Sequence, residues 1–199
     1  MMRRAAWPLL CTLLVAASLG VWLAGVAGHV EPGRWMWHHD LVRQQPWTLW
    51  TGPLLHFLWP HLLGNALVLA ALAVLGAALH APARDALALL LAWPLGTAAL
   101  LAWPGVGGYY GLSVVVHAAL AILALRALAL PGRQWLGLLL AGGLALKLTL
   151  ERGWQVPVGF DGNWGFNVVF AAHLSGALAG TALALCVSGV AGLAGLARR

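Results

Sequence analysis

Six runs of this chain are so uniformly apolar that they settle the solvent before they settle a fold. A helix that spans a bilayer needs about 20 mostly apolar residues at a rise of about 1.5 Å each, because every backbone polar group must find its partner inside the span. Residues 7–27, 54–79, 86–102, 111–130, 135–150 and about 166–196 meet that description, the third and fifth being short for a full crossing. The connecting segments carry turn chemistry or charge, as in APARD at 81–85, PGVGG at 104–108 and LPGR at 130–133. The expectation is an all-α membrane protein, a single bundle of six transmembrane helices over 1–199 with no second domain. A chain of 199 residues that is 62% hydrophobic and 8% charged could not hide that surface in a water-soluble globule of this size.

Charge sets the expected orientation. With six spans both termini share one side, and placing them in the cytoplasm puts Arg3, Arg4, Arg84, Arg126, Arg133, Arg198 and Arg199 inside, against Arg34, Arg43, Lys147 and Arg152 outside. Positive residues are retained on the cytoplasmic side, so this orientation is preferred. The eleven Lys and Arg are dispersed among apolar runs and form no basic stripe, so the net charge of +6 does not point to nucleic acid. Arg3-Arg4, an apolar stretch and small residues at 24–28 resemble a signal peptide, but the run is span-length, and an uncleaved first helix is expected. Cys11 and Cys186 lie in separate apolar runs without metal-ligand spacing and read as packing residues. In the 28–50 loop Trp35, Trp37, Trp47 and Trp50 read as headgroup-level anchors. His38-His39-Asp40 beside them lacks a further ligand cluster, so neither metal nor cofactor is expected.

Few polar side chains interrupt the spans, and those that do are the functional candidates, since an ionisable or amide group in lipid normally faces a cavity. The second run holds His56, His61 and Asn65 within HFLWPHLLGN, the fourth opens Gly111-Leu112-Ser113, and the sixth carries His173. His61 and Asn65, four apart, share a helix face. Counted from the ends of their runs, Ser113 lies near the outer start of its span, while His61 and His173 lie about seven residues, roughly 10 Å, into theirs. Gly176, Ala177 and Gly180 follow His173 on its own face, and small residues there let the fourth and sixth helices approach. A serine, a histidine to take its proton, and a His/Asn pair able to donate to an oxyanion suit acyl transfer. Taken singly, each has a plainer role: a serine opening a Gly-rich helix caps or packs, and a membrane histidine satisfies a neighbouring carbonyl.

Together these residues resemble the rhomboid pattern: His, a second His five residues on, Asn four later; GxS opening the fourth helix; AH followed by small residues in the sixth. The resemblance runs from about 47 to 185 and implies a rhomboid-like bundle preceded by the helix at 7–27. It implies Ser113 and His173 as a catalytic dyad and His61 and Asn65 as oxyanion residues, joined by the Ser113 N–H. The activity implied is hydrolysis of a peptide bond in or next to a single-span substrate's transmembrane helix, in a bacterial inner membrane, with the site opening outward. YYGLSVVVHA and KLTLERGW look more narrowly like the rhombosortase branch, whose substrates are secreted proteins with a C-terminal Gly-Gly anchor segment. The chain departs from the pattern at Val114 and Ala118, where glycines are usual. A β-branched residue beside Ser113 could narrow the substrate's approach or alter the opening turn of the helix, and it leaves open a noncatalytic rhomboid-like protein that binds transmembrane helices. A transporter fits less well, since no repeated halves or paired broken helices appear. His117, one turn after Ser113, could contact His173 or only pack. Lys147 and Glu151, four apart, can pair and ease each other's burial, with either a structural role at the interface or one in substrate recognition or gating.

Overall fold

The computed structural model describes residues 2–162 and 165–196, with side chains from Ala5 to Gly189. Part of the charge asymmetry rests on Arg3, Arg4, Arg198 and Arg199, which lie outside those side chains. In chain order the helices are α1 (Met2–Val26), the short α2 (Pro32–Trp35) and α3 (Thr48–Thr51), then α4 (Trp59–Ala78), α5 (Ala83–Ala98), α6 (Ser113–Leu128), α7 (Gln134–Glu151) and α8 (Phe170–Leu196). Two small antiparallel ladders accompany them: β1 (Trp37–His38) with β2 (Gly108–Tyr109), and β3 (Gly159–Asp161) with β4 (Phe166–Val168).

The six long helices occupy the six apolar runs, with shifted ends. Among the described residues four stretches are long and apolar enough to cross a membrane: Ala5–Val26, Trp59–Ala78, Ala83–Ala102 and Phe170–Gly189. The protein is thus mostly helical and membrane-embedded. The third run is not short, because a 3₁₀ turn at Ala99–Ala102 continues α5. In the fifth run, α7 has 18 residues but is not among those four stretches, and the helix that falls short in length is α6, with 16 residues. It can be short because residues 114–119, 121–124 and 127 are all buried, so its ends meet protein rather than lipid. By contrast α7 exposes Leu138, Leu139, Leu146 and Leu150, a face suited to lipid.

Small residues set how closely the helices pack. A side chain at Gly176 would collide with the Val114 carbonyl, and a Cβ at Gly180 would lie 2.5 Å from the Ala118 oxygen, so α8 lies backbone to backbone against α6. The closeness expected from these glycines is present. Trp7 of α1 is fully buried in the space that Gly76 leaves on α4, and its indole N–H donates to the Leu72 carbonyl at 3.0 Å. At the ends of α4 and α6, Arg126 donates to the Leu79 and His80 carbonyls and lies 4.0 Å from buried Asp85. Arg84, 3.9 Å from Asp85, joins this charged cluster.

The opposite ends of α4 and α6 are covered by the long first loop. Its tryptophans divide: Trp47 and Trp50 are exposed, but Trp37 is fully buried, where it pairs with Tyr109 in the β1–β2 ladder. Trp37 is therefore a core residue and not a headgroup anchor, because pairing carries it under the loop. The second and sixth helices also start later than the sequence suggests. A 3₁₀ turn at Gly52–Leu54 precedes α4, and 166–168 form a strand before α8. Hydropathy cannot separate an apolar strand of Phe166, Asn167 and Val168 from the first turn of a helix.

Candidate active site

The later starts move the polar residues relative to the helix ends. His61 is the third residue of α4, Ser113 the first of α6 and His173 the fourth of α8, so all three occupy first turns. Neither histidine lies seven residues into its helix as the count along the sequence had it. The three first turns converge: His61, Asn65, Ser113 and His173 line one cavity of about 220 Å³, together with Lys147 and Glu151 of α7 and Asp161, Phe166 and Val168 of the β3–β4 hairpin.

Ser113 is held from its N-terminal side. The Tyr109 hydroxyl donates to the Gly111 carbonyl, accepts the Val114 N–H at 3.0 Å and lies 3.3 Å from Ser113 Oγ. Complete burial raises the Tyr109 pKa above its ordinary value, so it stays a protonated donor. The Leu112 N–H reaches His56 Nε2 at 3.4 Å. Between these two occupied amides, the Ser113 N–H has no protein acceptor among the described residues. It sits at the positive end of the α6 dipole, where a developing negative charge is favoured. Gly111 has φ +97°, and any side chain there would strike the His61 ring, so the turn into Ser113 requires glycine twice over.

His56 is a brace and does not line the cavity. Its Nδ1 donates to the Leu54 carbonyl at 3.2 Å, which leaves Nε2 to accept from Leu112 and from Asn65 Nδ2, the latter at 3.3 Å. Asn65 is thereby fixed by one amide hydrogen while it faces the cavity. His61 packs edge-on against His56, with centroids 5.0 Å apart, and lies against Tyr110 and Phe166.

His173 is buried at the α6–α8 contact. Its ring stacks on His117, centroids 4.1 Å apart and planes within 13°. His117 is itself tied by Nδ1 to the Ser113 carbonyl at 2.7 Å. The possible contact of these two histidines is thus made. His173 Nδ1 lies 2.7 Å from Glu151 Oε2, and Lys147 bonds the other oxygen, Oε1. Among the described residues no hydrogen bond joins Ser113 Oγ to His173, though both line the cavity.

Val114 lines nothing in this cavity. Its side chain is fully buried and faces Gly96 of α5, while its backbone lies against Gly176 of α8. The expectation that it narrows the approach to Ser113 is corrected by that direction: on a helix, the residue after Ser113 points about 100° away from it. Sequence reasoning did not assign Tyr109 or His56 their bracing roles, nor connect Glu151 to His173.

A helical, membrane-embedded chain with a serine, a histidine and amide donors around one cavity has the makings of an intramembrane hydrolase. The Rhomboid domain family model matches residues 43–190, and the chain belongs to the rhomboid family. That family comprises intramembrane serine proteases acting on transmembrane substrates in the lipid bilayer. A search of curated proteins gave no match to the chain.

Proposed function

We propose that the protein is an intramembrane serine endopeptidase with Ser113 as nucleophile and His173 as general base. The observation that carries this reading is the convergence of Ser113 and His173, from helices far apart in sequence, on one cavity that Asn65 and His61 also line. Ser113 Oγ attacks the scissile carbonyl carbon while its proton passes to His173 Nε2. The oxyanion forms against the Ser113 N–H, Asn65 Nδ2 and His61. Collapse breaks the C–N bond, His173 gives the proton to the leaving amine, and a water deprotonated by the same nitrogen hydrolyses the acyl ester. Before attack the Ser113 hydroxyl turns from Tyr109 toward His173.

The substrate in this reading is a single-span membrane protein cut in or beside its transmembrane helix, with the C-terminal Gly-Gly anchor of a secreted protein as the narrower assignment. What supports the narrower assignment is the pairing of YYGLSVVVHA with KLTLERGW. The chain would make six crossings of a bacterial inner membrane with both termini cytoplasmic and the cavity opening outward. Arg84 and Arg126, at the end of the bundle away from Ser113, agree with that orientation. The noncatalytic reading drew on Val114, whose side chain lies outside the cavity.

Ser113→Ala and His173→Ala should each abolish cleavage of a Gly-Gly tail substrate in liposomes, read by mass spectrometry, with insertion unaffected. The double variant should be scarcely worse than either, since nucleophile and base act in one step. Cleavage that persists in Ser113→Ala would overturn the serine mechanism.

A further inference from the structure

The histidine of this site has a third partner that a two-residue mechanism leaves unused. We infer that Glu151 is a positioning residue that, with Ser113 and His173, makes the site a Ser-His-Glu triad, and that Lys147 fixes which carboxylate oxygen meets the histidine. The inference rests on the proposed serine mechanism for its effect on rate, but its structural content stands on this geometry.

A carboxylate can only accept, so His173 Nδ1, 2.7 Å from Oε2, must carry the hydrogen of that bond. A neutral ring then keeps its lone pair on Nε2, the form a general base requires. Lys147, a donor only, occupies Oε1, so the two oxygens have separate partners and the carboxylate cannot swing freely. The backbone places Glu151 with equal definition. It is the last residue of α7, and the chain then turns through Arg152 at φ 50°, whose N–H returns to the Leu148 carbonyl at 3.0 Å. The next residue, Gly153, lies so close to α8 that a Cβ there would meet the Phe170 carbonyl at 2.6 Å. That contact docks the end of α7 on the first turn of α8, three residues before His173. On the ring's face, His117 prevents rotation of the imidazole away from the carboxylate.

The arrangement makes a specific demand of Glu151→Gln. Lys147, a donor, can keep its bond to this side chain only through the amide oxygen, which turns the amide NH₂ toward His173 Nδ1. Two donors cannot share a bond, so the ring must move its hydrogen to Nε2 and lose its function as base. A carboxamide in the equivalent place of another serine hydrolase lowers turnover about 10⁴-fold through the wrong tautomer. Here Glu151→Gln should slow fluorophosphonate labelling of Ser113 by about 10²- to 10⁴-fold. Removing the lysine frees the amide to flip and accept, so Lys147→Met in the Glu151→Gln background should restore part of the rate. A role confined to helix packing predicts no such recovery. Glu151→Asp, which keeps the charge one methylene short, should label at a rate between wild type and Glu151→Gln.

The second readout is ¹⁵N-histidine NMR of the full chain in micelles, with His173 assigned by its loss in His173→Ala. Wild type should show the Nδ1–H tautomer, Glu151→Gln the Nε2–H tautomer, and the double variant a return toward the first. Wild-type labelling and an unchanged His173 tautomer in Glu151→Gln would overturn the inference. Should wild type fail to label, the serine mechanism falls, while the tautomer still decides whether Glu151 holds His173. Should Glu151→Gln fail to fold, Glu151→Asp decides: a wild-type rate with the His173 Nδ1 hydrogen bond lost would overturn the inference.

Discussion

Val114 allows the packing of this site to be tested apart from its chemistry. Its side chain is fully buried, and a Cβ added at Gly96 would lie 2.7 Å from its Cγ1 but at an ordinary 3.5 Å from Ala179 Cβ and Gly176 Cα. Val114→Ala removes both methyl groups. In a bilayer the transfer gain of burying them is largely absent, since lipid tails are as apolar as the core, and the loss is one of contacts. We expect a cost of about 1–2 kcal/mol, below the span for comparable deletions in water. Gly96→Ala alone overpacks against a side chain with one favoured χ1, at about 1–3 kcal/mol, less about 1 kcal/mol for replacing glycine within a helix. Combined, the new methyl fills the space the old ones left, so the two changes should couple favourably by about 1–3 kcal/mol. Unfolding by SDS titration in mixed micelles, for wild type, both single variants and the double one, gives that coupling. Probe labelling of folded Val114→Ala should match wild type, because nothing it removes faces the cavity. Additivity to within about 0.5 kcal/mol, or faster labelling in Val114→Ala, would refute the reasoning and return the valine to the mouth of the site. By the same logic Val114→Gly should weaken the fold and not improve the enzyme.

Two further outcomes follow from the site and from the charges. Asn65→Ala should lower turnover by about 10²- to 10³-fold at matched expression, as expected for loss of one oxyanion donor, with His61→Ala similar but milder; unchanged turnover in both would remove the oxyanion assignment. Single cysteines beside Arg34 and beside Arg84 should react with an impermeant maleimide from opposite sides of sealed vesicles, and reaction from the same side would refute the six-crossing topology.

The helices were legible because their signal is local: twenty apolar residues in lipid have few other ways to satisfy their backbone. Their starts were not, since residues 55–58 and 166–169 are mostly apolar and run on into the helices they precede; residues 166–168 are held extended by pairing with 159–161, and a 3₁₀ turn at Gly52–Leu54 comes before α4. The candidate site was legible in outline for a related reason. Polar side chains are so costly in lipid that His61, Asn65, Ser113 and His173 stood out against their runs. What the sequence withheld was which groups meet across helices. Glu151 was visible as the partner of Lys147, four residues away on the same face, but its bond to His173 depends on the docking of α7 against α8 through Gly153. Trp37 looked like every other tryptophan of its loop until the ladder to Tyr109 buried it. The convergence of three helix N-termini is likewise invisible in any one run, yet it follows from the packing. With α4, α6 and α8 starting at the same end of the bundle, each brings the positive end of its dipole to the cavity. In the proposed mechanism, a carbonyl oxygen taking on negative charge there meets a field already oriented for it, before any side chain moves.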